Sequence, residues 1–451
     1  MRNIEFVPRL EASKTIQNAK PPYFIVVEGR RRIGKTTFLK HHIPNALYMF
    51  VWPNKSLHWI LERTCKDNNI LHFQTITDLL RYCFEKDKPV IIDEFQNFLH
   101  IDKSVHGEIQ HVIDSSKTHR LAVAGSSYSL MNKVFKDEAS PLYGRRTATI
   151  PLTHLPIHSL YNAVPYSVEE FIELWSVFEG VPYYYELLEH EEPIHAIKNL
   201  LLSPQATLQN EGNAILNLEF GKDAKTYGTV INAIATGKNT VSEIAGAFGN
   251  DTATVTKYLS LLRKQFNLVQ RHTPILEDPK KSRQSRYKLK DNFLTFWLRF
   301  VEGQQDLLEQ QRYREIETHF EEQSPAHIGK MFERFILNIL RRHPDIIPQD
   351  FDKIGQQWGK NKNKPKGKQA YEIDIVAPHE KTKSILFGEC KWKDNVSGKK
   401  LLKKLKTKAK GVEWNNEKRQ EEYLLVAKTF TDIPTEANIL DLNKIESILS
   451  E

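Results

Sequence analysis

Pro22–Thr37, PYFIVVEGRRRIGKTT, constrains this chain more than any other stretch. Tyr23–Glu28 is apolar and β-branched, the composition of a buried strand. Gly29-Arg30-Arg31-Arg32-Ile33-Gly34-Lys35-Thr36 then meets the phosphate-loop spacing G-x-x-x-x-G-K-[ST] at every fixed position, and Thr37–His42 can open a helix. The chemistry needs this order. Glycines let backbone N–H groups converge on phosphate oxygens, and a helix N-terminus adds a favourable dipole for the anion. The spacing predicts a cradle formed by Gly29, Arg30, Arg31, Arg32, Ile33, Gly34, Lys35, Thr36 and Thr37. Lys35 then reaches the β- and γ-phosphates, and the Thr36 hydroxyl binds Mg2+. An ordinary glycine turn is the alternative; the strand before and the helix after weigh against it.

Val90-Ile91-Ile92-Asp93-Glu94 describes a second buried strand, ending in two carboxylates. At the C-terminal edge of a parallel sheet such an end lies beside the phosphate loop. There Asp93 holds Mg2+ through water, and Glu94 orients or deprotonates the attacking water. Acids at a strand end are often only solvated, but a phosphate loop about 60 residues upstream favours the catalytic reading. Arg120–Ser127 reads as a third strand, which offers Ser126 as a γ-phosphate sensor or as a plain turn closure. Ser140–Arg146 offers Arg145, and less so Arg146, as a cation for the transition state, in its own or a neighbouring subunit; a surface arginine pair is the alternative.

GRRRIGKTT, VIIDEFQNF, AVAGSSYSLM and PLYGRRTATIPL, in that order, resemble the archaeal-type P-loop ATPase family, which is related to AAA+ and signal-transduction ATPases. The resemblance implies an α/β fold with a doubly wound sheet, an ATP·Mg2+ site and a helical lid after the sheet. Phe178–Tyr184 resembles the family's Gly-x-Pro-x-Tyr lid motif, with Glu179 where a second glycine is usual. Phe6–Glu11 loosely matches its entry motif, which implies contact with the adenine side.

The middle of the chain predicts a winged helix. Tyr227–Thr236, Thr240–Ala245 and Thr252–Phe266 read as three helices, the last with Val255, Leu259, Leu262 and Phe266 on one stripe. Leu268–Arg271 and Ser285–Leu289 can pair as the wing. Thr252, Thr254, Lys257 and Tyr258 fall on the exposed side of the third helix, and Lys280, Lys281, Arg283 and Arg286 make a basic wing tip suited to phosphates. DNA binding and a role as internal regulator or dimer contact both suit this module. Asp291–Val301 reads as an aromatic helix packed between domains.

In the tail, a helix begins at Ile328 and continues through Arg341. Lys360–Lys368 is a lysine-rich loop, and Glu372–Val376 and Ser384–Trp392 read as strands. Glu389 and Lys391, two apart, point to the same face. Asp374 and Glu389 can then share a divalent cation, with the Cys390 carbonyl as a further ligand and Glu333 as an added carboxylate, while Lys391 positions the attacking water. This pattern resembles the PD-(D/E)xK nuclease family, in a C-terminal domain of the DUF234 type, with Ile373-Asp374 in place of proline–aspartate. Gly398–Gly411 carries seven lysines with Leu401, Leu402 and Leu405 interleaved, either a solvated helix face or a nucleic-acid contact.

A net charge of +8 and a pI near 9.0 suit a polyanionic partner such as DNA. The chain has no run of about 18 apolar residues, so no membrane span is expected. The opening residues lack an apolar h-region, so no signal peptide is expected, and Cys65, Cys83 and Cys390 have no metal or redox spacing. A cytoplasmic location follows from these features. The boundaries are 1–155 for the ATPase core, 156–222 for the lid, 223–300 for the winged helix and linker helix, and 320–451 for a restriction-endonuclease-like α/β domain. The sequence thus predicts an ATPase that binds and hydrolyses ATP with Mg2+ and acts on DNA through its winged helix and nuclease-like tail. The rival is an ATP-dependent signalling or defence switch whose tail binds or scaffolds without cleavage. A homo-oligomer is compatible with either.

Overall fold

The computed structural model describes residues 6–249, 251–347, 349–361, 365 and 369–450. Strands β1 (Tyr23–Glu28), β2 (Leu47–Phe50), β3 (Val90–Asp93), β4 (Arg120–Gly125) and β5 (Ala148–Pro151) form one sheet in the order β2-β3-β4-β1-β5, with every pair parallel. Helices cover both faces, which is why these strands are continuous apolar runs rather than alternating ones. Ile25 and Val27 enter the core shared with the Val168–Phe178 helix, while Phe24 and Val26 enter the core under Leu57–Asp67, Ile76–Glu85 and Ser104–Ser115. The strand order positions the site. Since β4 lies between β1 and β3, the residues after β4 stand between the phosphate loop and the acids that end β3.

Beyond the sheet, the Val168–Phe178 helix opens with a capping box, Ser167 with Glu170, and leads into Pro182–Glu186, Pro193–Leu201 and Glu211–Phe220. Ala224–Ala235, Val241–Ala245 and Thr252–Lys264 follow, then an antiparallel pair, β6 (Val269–His272) and β7 (Arg286–Leu289). Val255, Leu259 and Leu262 are buried, and Thr252 and Lys257 are exposed. Tyr258 is half-buried, its ring 5.5 Å from Tyr227. Asn250, in the turn before this helix, lies outside the described residues. The Asn292–Phe300 helix is core, as its aromatic content predicts: Trp297 is buried, its indole donates to Gln209 O at 2.7 Å, and a Cβ on Gly212 would overlap its ring.

The tail helix is longer than the sequence suggests. It runs from Tyr313 to Arg342 and takes Pro325 within it, where a proline reads as a stop. A mixed five-stranded sheet follows, in the order β14-β12-β10-β9-β8. Its strands are β8 (Gly355–Lys360), β9 (Ala370–His379), β10 (Ser384–Lys391), β12 (Gln420–Ala427) and β14 (Asn438–Leu440), while β11 (Val396–Ser397) pairs with β13 (Phe430–Asp432). β8, β9 and β10 are antiparallel neighbours; β10, β12 and β14 run parallel, and the Gly398–Ala409 helix crosses from β10 towards β12. Leu401, Leu402, Leu405 and Ala409 bury its apolar side. Most of the Lys360–Lys368 run lies outside the described residues. The hairpin between β6 and β7 does not stand free as a wing. Ile275 N donates to Gln356 O at 3.0 Å, Leu276 N to Gln357 Oε1 at 3.1 Å, and the Trp358 indole to Gln284 O at 3.0 Å, so its loop is docked on β8. Among the described residues no helix is long and apolar enough to cross a membrane.

Candidate nucleotide site and tail cluster

The loop after β1 requires its glycines. A Cβ on Gly29 would lie 2.5 Å from the Leu152 carbonyl oxygen, and Gly34 has φ +90. The Lys35–His42 helix begins there, and Lys35 Nζ donates to Gly29 O at 2.9 Å and Arg30 O at 3.0 Å. Burial pushes the Lys35 ammonium down to about 8, against the opposing pull of Glu94 and Asp93. Thr36 Oγ1 donates to Asp93 Oδ2 at 2.5 Å, and the Tyr48 hydroxyl donates to the same oxygen at 3.0 Å. Burial and the Asp93 charge push Tyr48 up, so it stays a donor. Glu94 has φ 55, which turns the chain sharply after β3. Its Oε1 accepts from Ser126 Oγ and its Oε2 from Gln96 Nε2, each at 2.5 Å.

Lys35, Thr36, Thr37, Glu94 and Ser126 line one cleft of about 430 Å3, with Phe6, Val7 and Arg9 on its wall. The Thr36 hydroxyl and the Asp93 carboxylate touch, and they are oxygen donors of the kind Mg2+ takes. Of the loop's arginine side chains, Arg31 and Arg32 line the cleft. Arg32 lies 3.1 Å from Glu211 and 4.1 Å over the Tyr183 ring. Ile33 is fully buried under the loop.

Two arginine side chains are held away from the cleft. Arg30 turns away from the cleft: its guanidinium pairs with Asp291 and donates to the Tyr184 hydroxyl at 2.9 Å. Arg145 is not brought to the nucleotide cleft of its own chain. It grips Asp114, at 2.9 Å from Nε and 3.0 Å from Nη2, and donates to Pro141 O at 2.9 Å. The Ser104–Ser115 helix presents that acid within reach, and a bidentate carboxylate outbids solvent for a guanidinium. Arg146 is likewise held, by Phe135 O at 2.8 Å.

Sequence reasoning missed the hub of the molecule. Glu179 is buried, with φ 49. Its carboxylate accepts from the Asn292 amide at 3.0 Å and from Arg334 Nη2 at 3.0 Å, and lies 3.3 Å from His154 Nδ1. Burial lowers His154, which keeps it neutral near pH 7. Asp291 caps the Asn292–Phe300 helix through Leu294 N at 2.9 Å while pairing with Arg30, and Arg334 donates to Asn292 Oδ1 at 2.9 Å and to Lys290 O. Arg30 of the phosphate loop is therefore joined, through Asp291, Asn292 and Glu179, to Arg334, next to Glu333 on the tail helix. The signal was present as Glu179 at a position where the resembled family has glycine.

The tail brings Asp374, Glu389 and Lys391 together. Cys390 N donates to Asp374 Oδ2 at 2.9 Å, and Lys391 Nζ donates to Glu389 Oε1 at 2.8 Å and Cys390 O at 3.0 Å. Glu333 stands across the cleft, bonded to Gln356 at 3.1 Å. Burial first, then the charge of Asp374, raises Glu333 to about 8; burial and then Glu389 raise Asp374 to about 6. The expected metal centre of Glu333, Asp374 and Glu389 is not assembled. Among the described residues no three His, Cys, Asp or Glu side chains are placed to hold a metal ion. The reason is Lys408, which lies 2.7 Å from both oxygens of Glu389, while Lys391 takes the Cys390 carbonyl meant for the cation. Two ammonium groups supply the positive charge there. Lys399, Lys400, Lys403, Lys404 and Lys410 of the same stretch are exposed, and Lys406 pairs with Glu436 at 2.5 Å.

Residues 22–172 match the family described as AAA domain, and residues 297–408 match the family described as archaeal and bacterial proteins of unknown function. An uncharacterized protein of Methanocaldococcus jannaschii is 29% identical over 401 residues, which span 86% of this chain and 88% of that protein. Among solved structures, the Walker-type ATPase of Pyrococcus abyssi aligns with 66% of this chain and 97% of its own, at 16% identity and a TM-score of 0.48. The ORC2 protein of Aeropyrum pernix aligns with 68% and 97%, at 12% identity and a TM-score of 0.42. The chain thus carries an AAA-type ATPase domain at residues 22–172, and its residues 297–408 match that archaeal and bacterial family.

Proposed function

We propose that this chain is an ATP- and Mg2+-dependent switch that acts on DNA, and that its C-terminal domain binds rather than cuts. The observation that carries the switch is the line of contacts from Arg30, inside the phosphate loop, to Arg334 on the tail helix. A loop that rearranges around phosphates moves Arg30, and Arg30 can move only with Asp291 and what Asp291 caps. The DNA reading is supported by the +8 net charge and by the exposed lysines of Gly398–Gly411.

At the nucleotide, Lys35 answers the β- and γ-phosphates. Thr36 and Asp93 would hold Mg2+, which would supply positive charge against the phosphate oxygens. Glu94 takes the proton of the attacking water, its carboxylate aimed by Ser126 and Gln96. Ser126 sits after β4, between the two halves of the site, and its hydroxyl donates to Glu94.

In the tail, a metal-held water is not part of the reading, because Lys408 and Lys391 occupy the carboxylate and carbonyl oxygens that the cation needs.

ATP turnover by the full chain, with and without DNA, tests the switch. Lys35→Ala should lose nucleotide binding. Glu94→Gln should bind ATP and turn over about 10²–10⁴-fold more slowly. Normal turnover in Glu94→Gln moves the base elsewhere. DNA cleavage by the wild type that Asp374→Ala abolishes overturns the non-cutting tail.

A further inference from the structure

A cleft of about 690 Å3 opens between the Thr252–Lys264 helix, the β6–β7 hairpin and Trp358 of β8. Its lining includes Arg263, Arg271, Arg283 and Arg286 and six serine or threonine side chains, and among the described residues it includes no Asp or Glu. Two of the arginines build the wall. Arg271 donates to Ser285 Oγ at 2.7 Å, Pro279 O at 2.9 Å and Ser282 O at 3.0 Å, which knits the hairpin loop. Arg286 pairs with Glu372 at 2.9 Å and lies 4.4 Å over the Trp358 ring, which pins the loop to the tail. The other two, Arg263 and Arg283, form no ion pair with an acidic side chain among the described residues, and Arg283 is exposed.

Four guanidinium groups meet one paired carboxylate here, Glu372 on Arg286, and the charge of Arg263 and Arg283 is left for solvent or an external anion to answer. Guanidinium and hydroxyl donors on one wall are what phosphate oxygens bond to. Thr256, Ser260 and Arg263, spaced i, i+4 and i+7, turn one stripe of the helix into this cleft. Thr252, four residues before Thr256, continues this stripe beyond the cleft, while Lys257 falls off it and does not line the cleft.

The cleft also continues. Arg286 also lines a neighbouring cleft of about 430 Å3, where Lys288, Lys330, Lys391 and Lys393 stand with the carboxyl groups of Glu333, Glu372 and Asp374. Four arginines spread along the first cleft, from the helix to Arg286 at its far end, match the repeated charge of a polymer backbone better than one small anion.

We infer that backbone phosphates of duplex DNA bind in the cleft between the Thr256–Ser260–Arg263 stripe and the hairpin, and pass Arg286 towards the tail cluster. The inference rests on the proposed action on DNA and names where on the chain it happens. The test is a salt series of fluorescence-polarisation titrations of a short labelled duplex with the full chain. The double variant Arg263→Gln/Arg283→Gln should lower the slope of log affinity against log salt by about two, equally on duplexes of unrelated sequence. Each single variant should lower it by about one, and unfolding midpoints matching the wild type show that the fold is intact. Lys257→Gln should leave the slope unchanged. An unchanged slope in the double variant, or an equal loss in Lys257→Gln, overturns the inference and leaves the DNA reading standing. No binding by the wild type overturns both.

Discussion

Replacing Glu179 with glycine installs the residue type usual at that lid position, yet it should destabilise this chain. Two opposing terms decide the sign. Glu179 has φ 49 and ψ −133, a conformation comfortable only for glycine, so its backbone carries about 2 kcal/mol of strain that the substitution relieves. Against this, the carboxylate is the acceptor for the Asn292 amide, on a residue with no exposed surface, and the counter-charge for Arg334. Arg334 is one-third exposed, but losing both its counter-charge and the acceptor of the buried Asn292 amide costs about 3–5 kcal/mol. Glu179→Gly should therefore lose about 1–3 kcal/mol, and Glu179→Ala, which keeps the strain, about 3–5 kcal/mol. Glu179→Gln keeps an acceptor for Asn292 and should fall between the wild type and alanine. Urea unfolding followed by tryptophan fluorescence reads all three, with midpoints compared at unchanged slope. A glycine variant as stable as the wild type, or alanine equal to glycine, refutes the accounting. If the relay couples the sites, Glu179→Gln should also blunt any response of ATP turnover to DNA.

Two further substitutions probe the tail. Lys408→Met strips the ammonium that holds both oxygens of Glu389, and should cost about 1–3 kcal/mol. It should also let Mn2+, without nucleotide, raise the unfolding midpoint; an equal rise in the wild type would show that the lysine does not exclude the metal. Glu333 keeps its proton up to about pH 8 when folded but releases it near 4.5 when unfolded, so the folded chain holds more protons between those values. Its contribution is full below pH 4.5 and is lost as pH rises through 8, and Glu333→Gln should flatten that stretch of the stability profile. A wild-type profile already flat from 4.5 to 8 would contradict the burial of this carboxyl group.

What the sequence by itself determined here is chemistry written in neighbouring residues. The Gly29–Thr37 loop, the acids at Asp93 and Glu94, and the Glu389–Lys391 pair each depend on a few adjacent positions, and local backbone geometry brings those groups together. The buried stripe of Val255, Leu259 and Leu262 was legible for the same reason, since helical spacing repeats within a few turns. Tertiary structure decided which partner each long charged side chain takes. Arg30 could face a phosphate or Asp291, 261 positions away; Arg145 could face a nucleotide or Asp114; Glu389 could face a metal or Lys408. Such choices turn on which opposite charge the fold places within about 4 Å; for Arg30 and Glu389 burial strengthens the Coulomb energy, and for Arg145, at the surface, the bidentate fit to Asp114 decides. Sequence spacing carries no information about that distance, and so the same residues that announce an ATPase leave its wiring to the fold.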